Sequence, residues 1–181
     1  MIAAYALIAG LLAGLAAGGS FKTISELHLR GELIILVTFV VQGVARGRLV
    51  GTTANLWGTI IWLGASVLLV GLLALNFSHA GAVIAAAGTL LNAVVVLANG
   101  AMPVLPAGGL HVAAASISSA SGGFYSIAQP GMLAVWAGDV LPLSVLGQTY
   151  LMSVGDVLLG VGVAIVVASS MTNVQAGALC S

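Results

Sequence analysis

The chain alternates long apolar runs with short polar breaks, and the runs have the length of helices rather than of strands. A helix that crosses the hydrocarbon core of a bilayer needs ~20 mostly apolar residues. Such runs occupy residues 2–19, 32–45, 56–76, 80–99 and 154–171. The pattern predicts an all-α, polytopic helical membrane protein: about five transmembrane helices in a single transmembrane domain over residues 1–181. No Lys or Arg precedes Lys22, so the first run reads as a retained helix rather than a cleaved signal, which expects a basic leading region. Between the fourth and last runs lie residues 100–153, a Gly/Ser/Pro-rich loop without Lys, Arg or Glu. Structureless loops of that length are uncommon in compact domains. This segment is expected to re-enter the membrane, to form a sixth short helix, or to cap the bundle.

Small residues recur along single helix faces. Gly10, Gly14 and Gly18 follow Ala6 at steps of four along the first run, and Gly160, Ala164 and Ala168 follow Asp156 along the last. Gly81, Ala85, Gly88, Asn92 and Asn99 share one face of the fourth. In lipid, helices associate by close backbone approach along such faces. The faces are expected to pack against helices of the same chain, with homo- or hetero-oligomerisation as the alternative. Asn92 and Asn99 then point into the bundle, either as interhelical hydrogen bonds or as the wall of a polar cavity. Asn99-Gly100 also suits a helix C-terminus, with the glycine at positive φ, and Pro103 forbids continuation. On the second run, Thr38, Gln42 and Arg46 form a stripe in which Gln42 faces the bundle and Arg46 snorkels to the interface. Trp57, Trp62 and Trp136 are expected at headgroup depth.

Composition sharpens this picture. Hydrophobic residues make up 61% of the chain and charged residues 4%, against roughly 25% charged in a soluble domain. So few charges cannot cover a water-facing surface, and the lipid bilayer is the expected partner, in the cell (plasma) membrane. Four Lys/Arg balance four Asp/Glu, which excludes a basic patch for nucleic acid. The first loop carries Lys22 and Arg30, and the second carries Arg46 and Arg48, so the positive-inside count ties. The long loop without Lys or Arg translocates easily, which favours it and the N-terminus outside. Cys180, the single cysteine, cannot form an internal disulfide.

Chemistry-bearing residues are few. Asp139 in "WAGDVLPL" and Asp156 in "MSVGDVLLGVG" each follow a glycine and precede an apolar run. Ser153 and Asp156 fit a capping box at the start of the last helix, with Asp156 at its third position. A ligand or proton role is the alternative for both aspartates, provided that the fold brings them together. His28, His79 and His111 show no metal-ligand spacing, and no haem, P-loop or zinc motif is present. His111 stays as a candidate site residue and a possible general base. "SISSASGG" reads as a loop, because it lacks the strand-turn-helix context of a serine nucleophile. No catalytic residue, metal or cofactor is expected.

"NAVVVLANGAMPV", followed by "GDVLPL" and "SVGDVLLGVG", resembles the small bacterial integral membrane proteins grouped as domain-of-unknown-function family 5317. The resemblance covers most of the chain. It carries over Asn92, Asn99, Gly100, Met102, Pro103, Asp139, Ser153, Gly155 and Asp156. It implies a membrane protein and no activity. Two functional readings lead. One is a compact helical interaction protein or accessory subunit. The other is a small transporter, channel or ligand-binding protein whose polar site lies between the second, fourth and fifth helices, among Gln42, Asn92, Asn99, Asp139 and Asp156, under the long loop. A membrane enzyme acting on lipid or quinone is the third.

Overall fold

The structure, a computed structural model, describes residues 2–24, 27–47, 54–105, 124–145 and 148–178. Every predicted apolar run is a helix: α1 (Ile2–Ala16), α3 (Glu32–Gly47), α4 (Ala54–Ala74), α5 (Ala80–Asn99) and α6 (Val154–Ala178), with a one-turn helix α2 (Phe21–Ile24) after the first. Among the described residues, three stretches are long and apolar enough to cross a membrane: Trp57–Ala74, Ala80–Asn99 and Val154–Thr172. The other two apolar helices, α1 and α3, are shorter, at 15 and 16 residues.

The all-α expectation is corrected. The segment after α5 builds a four-stranded sheet from β1 (Met102–Val104), β2 (Tyr125–Ile127), β3 (Asp139–Val145) and β4 (Gln148–Ser153), in the order β2-β1-β3-β4. β1 runs parallel to both of its neighbours, and β3 and β4 form an antiparallel pair. The described part of residues 100–153 is thus neither a re-entrant helix nor a sixth one. Its strands carry Val, Leu and Tyr, but the longest has seven residues, too few for a period to stand out from the apolar background. Pro103 sits inside β1 between two neighbours, where a proline usually breaks a ladder. Here the donors come from elsewhere: Met102 N–H donates to Phe124 O, Leu105 N–H to Asp139 O and Ala128 N–H to Val104 O.

Glycine contacts set the helix packing. α5 and α6 run antiparallel, with Gly88 against Gly155 and Gly81 against Gly162. A Cβ added to Gly162 would lie 2.5 Å from both Ala85 N and Gly81 O, so the two backbones touch. α1 runs parallel to α6, with Gly10 on Ala164 and Gly14 on Met171. Gly18 is not part of that groove: it lies beyond the end of α1 at φ 81°, in a turn, and a Cβ there would meet nothing. The helix has already stopped, so the four-residue period no longer describes a face. Beside this contact, Ala82, Ala85 and Ala86 of α5 join Leu69, Leu72 and Leu73 of α4 and Ile35 of α3 in one apolar cluster.

A second cluster lies where the helices meet the sheet, around Val95, Val96, Met102 and Phe124. It contains Trp62, which corrects the interfacial placement of that residue. Trp62 is 1% exposed and packs edge-on against Phe124, with ring centroids 5.1 Å apart. The indole is buried because β2 and its approach fold back onto α4, a contact that the helical pattern does not reveal. Trp57 and Trp136 are exposed. The Arg46 side chain, Arg48 and Cys180 lie outside the described residues.

The α5–α6 contact generates a contrast between glycines. Gly162→Leu forces two backbones apart and should destabilise the protein by about 1–3 kcal/mol or more. Gly64→Ala, where an added Cβ meets nothing within 4 Å, should stay within about 0.5 kcal/mol of the parent. Reversible unfolding in mixed micelles measures both. Equal sensitivity at the two positions would contradict the backbone contact.

Candidate functional site

The two aspartates sit far apart in sequence, and the β3–β4 hairpin brings them to one place. Asp139 opens β3 and pairs across the hairpin with Ser153, the last residue of β4. The chain then turns directly into α6, where Asp156 lies in the first turn. Both carboxylates are buried, Asp139 to 7% and Asp156 to 5% exposure. Both face one cavity of about 350 Å³. That volume lies at the lower end of the range for small-ligand pockets.

Asp156 is held from two sides. Ser153 caps α6: its Oγ accepts the Asp156 N–H at 2.9 Å, which satisfies one of the unpaired donors at a helix start. The Ser153 hydroxyl in turn donates to Asn92 Oδ1 at 2.8 Å, and Asn92 Nδ2 donates to Asp156 Oδ1 at 2.9 Å. Asn92 is 2% exposed and fills the space opposite Gly155, where any Cβ would overlap its amide. The Asn92 amide therefore uses both ends on the α6 N-terminus, and it fixes the carboxylate with a hydrogen bond to a charged group, roughly twice as strong as a neutral one.

Gln42 reaches the same cavity from α3. It is 8% exposed, and its Nε2 donates to Ser66 Oγ at 2.9 Å. Ser66 passes its own hydrogen to Trp62 O at 2.8 Å. Gln42 Oε1 has no partner among the described residues. An amide and two carboxyl groups, all able to accept hydrogen bonds, thus line one space. Tyr5, Phe39, Tyr125 and Tyr150 supply aromatic wall, and Leu143, Leu151, Leu159, Gly160 and Val163 supply aliphatic wall.

Of the sequence candidates, Gln42, Asp139 and Asp156 line the cavity, and Asn92 stands directly behind Asp156. Asn99 is not there. It lies at the end of α5, where Nδ2 donates to Leu133 O at 2.9 Å and to Val95 O at 2.8 Å, while Oδ1 accepts the Leu133 N–H at 2.8 Å. Seven residues along a helix is two turns, which moved Asn99 past the cavity to clamp the segment before β3. Gly100 follows at φ 72°, in the left-handed region that closes the helix. Met102 and Pro103 are strand residues, and His111 lies outside the described residues.

Sequence reasoning missed the aromatic wall and Ser66. It also missed Asn76 at the end of α4, which holds the Arg30 backbone as Asn99 holds Leu133. Asn76 Oδ1 accepts the Arg30 N–H at 2.8 Å, and Nδ2 donates to Arg30 O at 3.0 Å and to Leu72 O at 2.8 Å. The position of Asn76, the polar last residue of the apolar run 56–76, was the available signal.

Fold and site together define a mostly helical protein with three membrane-length apolar helices and a small mixed sheet closing a polar cavity. The model of a family of unknown function (DUF5317) matches residues 26–168, and the chain belongs to that family. No curated protein and no solved structure matches the chain.

The Asn92–Ser153–Asp156 network should behave as a unit. Ser153→Ala should cost about 1 kcal/mol for the lost cap, and Asn92→Ala about 1–3 kcal/mol for the partners left buried. The double variant should lose at least ~0.5 kcal/mol less than the sum; additive losses would mean that the two side chains act separately. Asn99→Ala should accelerate amide hydrogen exchange at Leu133 while leaving Asp156 protected. Unchanged exchange at Leu133 would refute the clamp.

Proposed function

We propose that this is a multi-pass protein of the cell membrane that binds a small organic cation, through an ammonium group, in the cavity between α1, α3, α6 and the sheet. The observation that carries the reading is the convergence of Gln42, Asp139 and Asp156 on one cavity. These groups accept hydrogen bonds, and an ammonium group donates three. The aromatic wall favours an organic cation, because ring faces attract a desolvated ammonium.

This reading takes the chain as five spans in a single transmembrane domain, three of them the membrane-length helices. α1 and α3 are ~22–24 Å long at 1.5 Å per residue, short of the ~30 Å core, a mismatch that local thinning accommodates. Their outward faces carry Leu7, Ile8, Leu12, Leu33, Leu36 and Val40, all exposed and apolar, a surface suited to lipid. Tyr5, near the start of α1, shares the cavity with the sheet, whereas Thr23 of α2 bonds Met171 O toward the other end of α6. With Lys22 and Arg30 on the cytoplasmic side, the cavity opens toward the opposite face. A subunit role gains less support, since the glycine faces that suggested a partner are covered within the chain: Gly10 and Gly14 by α6, Gly81 and Gly88 by α6.

Native mass spectrometry of the full chain, extracted gently from its own membrane, tests the reading. The parent protein should carry a small cationic molecule that Asp139→Asn and Gln42→Leu each release, with the helical content unchanged in both. A bound molecule retained by both variants, or none in the parent, would overturn it.

A further inference from the structure

The polar cavity continues into a second space of a different character. A crevice of about 270 Å³ runs between α1, α6 and the hairpin, lined by Tyr5, Ala6, Ala9, Leu143, Met152, Asp156, Val157, Gly160, Val161 and Ala164. Four of these residues, Tyr5, Leu143, Asp156 and Gly160, also line the polar cavity. The two spaces therefore adjoin, with Asp156 at their junction. Beyond that junction the side chains are Ala6, Ala9, Val157, Val161, Ala164 and Met152, and none carries a group that could hydrogen-bond a polar ligand strongly.

The crevice has a cause in the sequence. Ala6 and Ala9 on α1 face Gly160 and Ala164 on α6, so the side chains between the two helices are small. The helices touch farther along, where Gly10 meets Ala164 and Gly14 meets Met171. Toward the start of α1 these small residues leave a shallow apolar slot, open along its rim, where Ala9 and Val161 are exposed.

We propose that the ligand is an amphiphile: an ammonium head in the polar cavity and an apolar hydrocarbon tail in the α1–α6 crevice. This inference rests on the ammonium-binding reading above and adds the substrate class. The head is selected by the acceptors Gln42, Asp139 and Asp156. The tail is selected by length, because each methylene that enters the slot leaves water and gains apolar contact. Asp156 stands where head and tail meet, and Asn92 and the Ser153 cap keep its carboxylate turned to the head side.

Isothermal titration calorimetry on the full chain in lipid nanodiscs, with empty nanodiscs subtracted, separates the two proposals. The probes are methylammonium, propylammonium and hexylammonium chlorides. The expected result is binding by all three, with affinity rising roughly threefold per methylene until the slot is filled. Ala9→Phe, which fills the slot, should leave methylammonium binding unchanged and flatten the dependence on length. Asp139→Asn should weaken all three probes at least tenfold. If methylammonium binds and the longer amines bind no better, the tail site is refuted and the head site stands. If the length dependence persists unchanged in Ala9→Phe, the gain comes from the bilayer and the tail site is again refuted. If none of the probes binds the parent protein, the ammonium reading itself falls, and this inference with it.

Discussion

The backbone contact between α5 and α6 is the constraint on which the other features depend. Two helices can approach this closely only where both lack side chains, and Gly81, Gly88, Gly155 and Gly162 provide that on both partners. In lipid the gain comes from dispersion and from short hydrogen bonds rather than from expelling water. The approach also sets the geometry of the polar network. Gly155 must be bare for the Asn92 amide to reach across to Ser153 and Asp156. A wider helix pair would leave that amide without partners in an apolar core, at a cost of several kcal/mol.

The cavity follows from the sheet as much as from the bundle. α5 ends in Gly100 and the chain enters β1 at once, while β4 runs without a loop into α6. The sheet is therefore tied to the two helices that are packed most tightly against each other. Asp139 inherits its position from its pairing with Ser153, and Asp156 inherits its own from the cap. One carboxylate comes from a strand start and the other from a helix start, and the backbone pairing of the hairpin and the helix cap set where each residue sits. Placement of this kind fixes both residues through rigid elements rather than through a loop.

The helices were legible in the sequence because each is a long apolar run bounded by Gly, Asn or charged residues. The residues 80–99 coincide with α5, and the capping reading of Ser153 matches the hydrogen bond to the Asp156 amide. The α5 face was legible too, down to Asn92. The sheet was not, because strands of three to seven residues in an apolar background leave no period to read. The convergence of the site was hidden for a related reason. Gln42 meets Ser66, and Asp139 meets Ser153, through tertiary pairings that no spacing encodes. Asn99 shows the reverse error: helical spacing placed it correctly on a face, but a face extends past the cavity to the loop that it clamps.

The two asparagine clamps differ in one respect that bears on how the protein is made. Asn76 closes on Arg30, which has already left the ribosome when α4 is synthesised, whereas Asn99 closes on Leu133, which has not. α3 and α4 can thus lock together early, while the end of α5 stays open until the sheet is complete. α1 waits longest, since its packing partner is α6, and the Thr23 hydroxyl just beyond it bonds a carbonyl 148 residues downstream. A nascent chain lacking α6 holds the α3–α4–α5 pairings but neither the Asp156 wall of the cavity nor a seat for α1. One helix, α6, thus both seats α1 and supplies the Asp156 wall of the cavity, so the two features form in the same step.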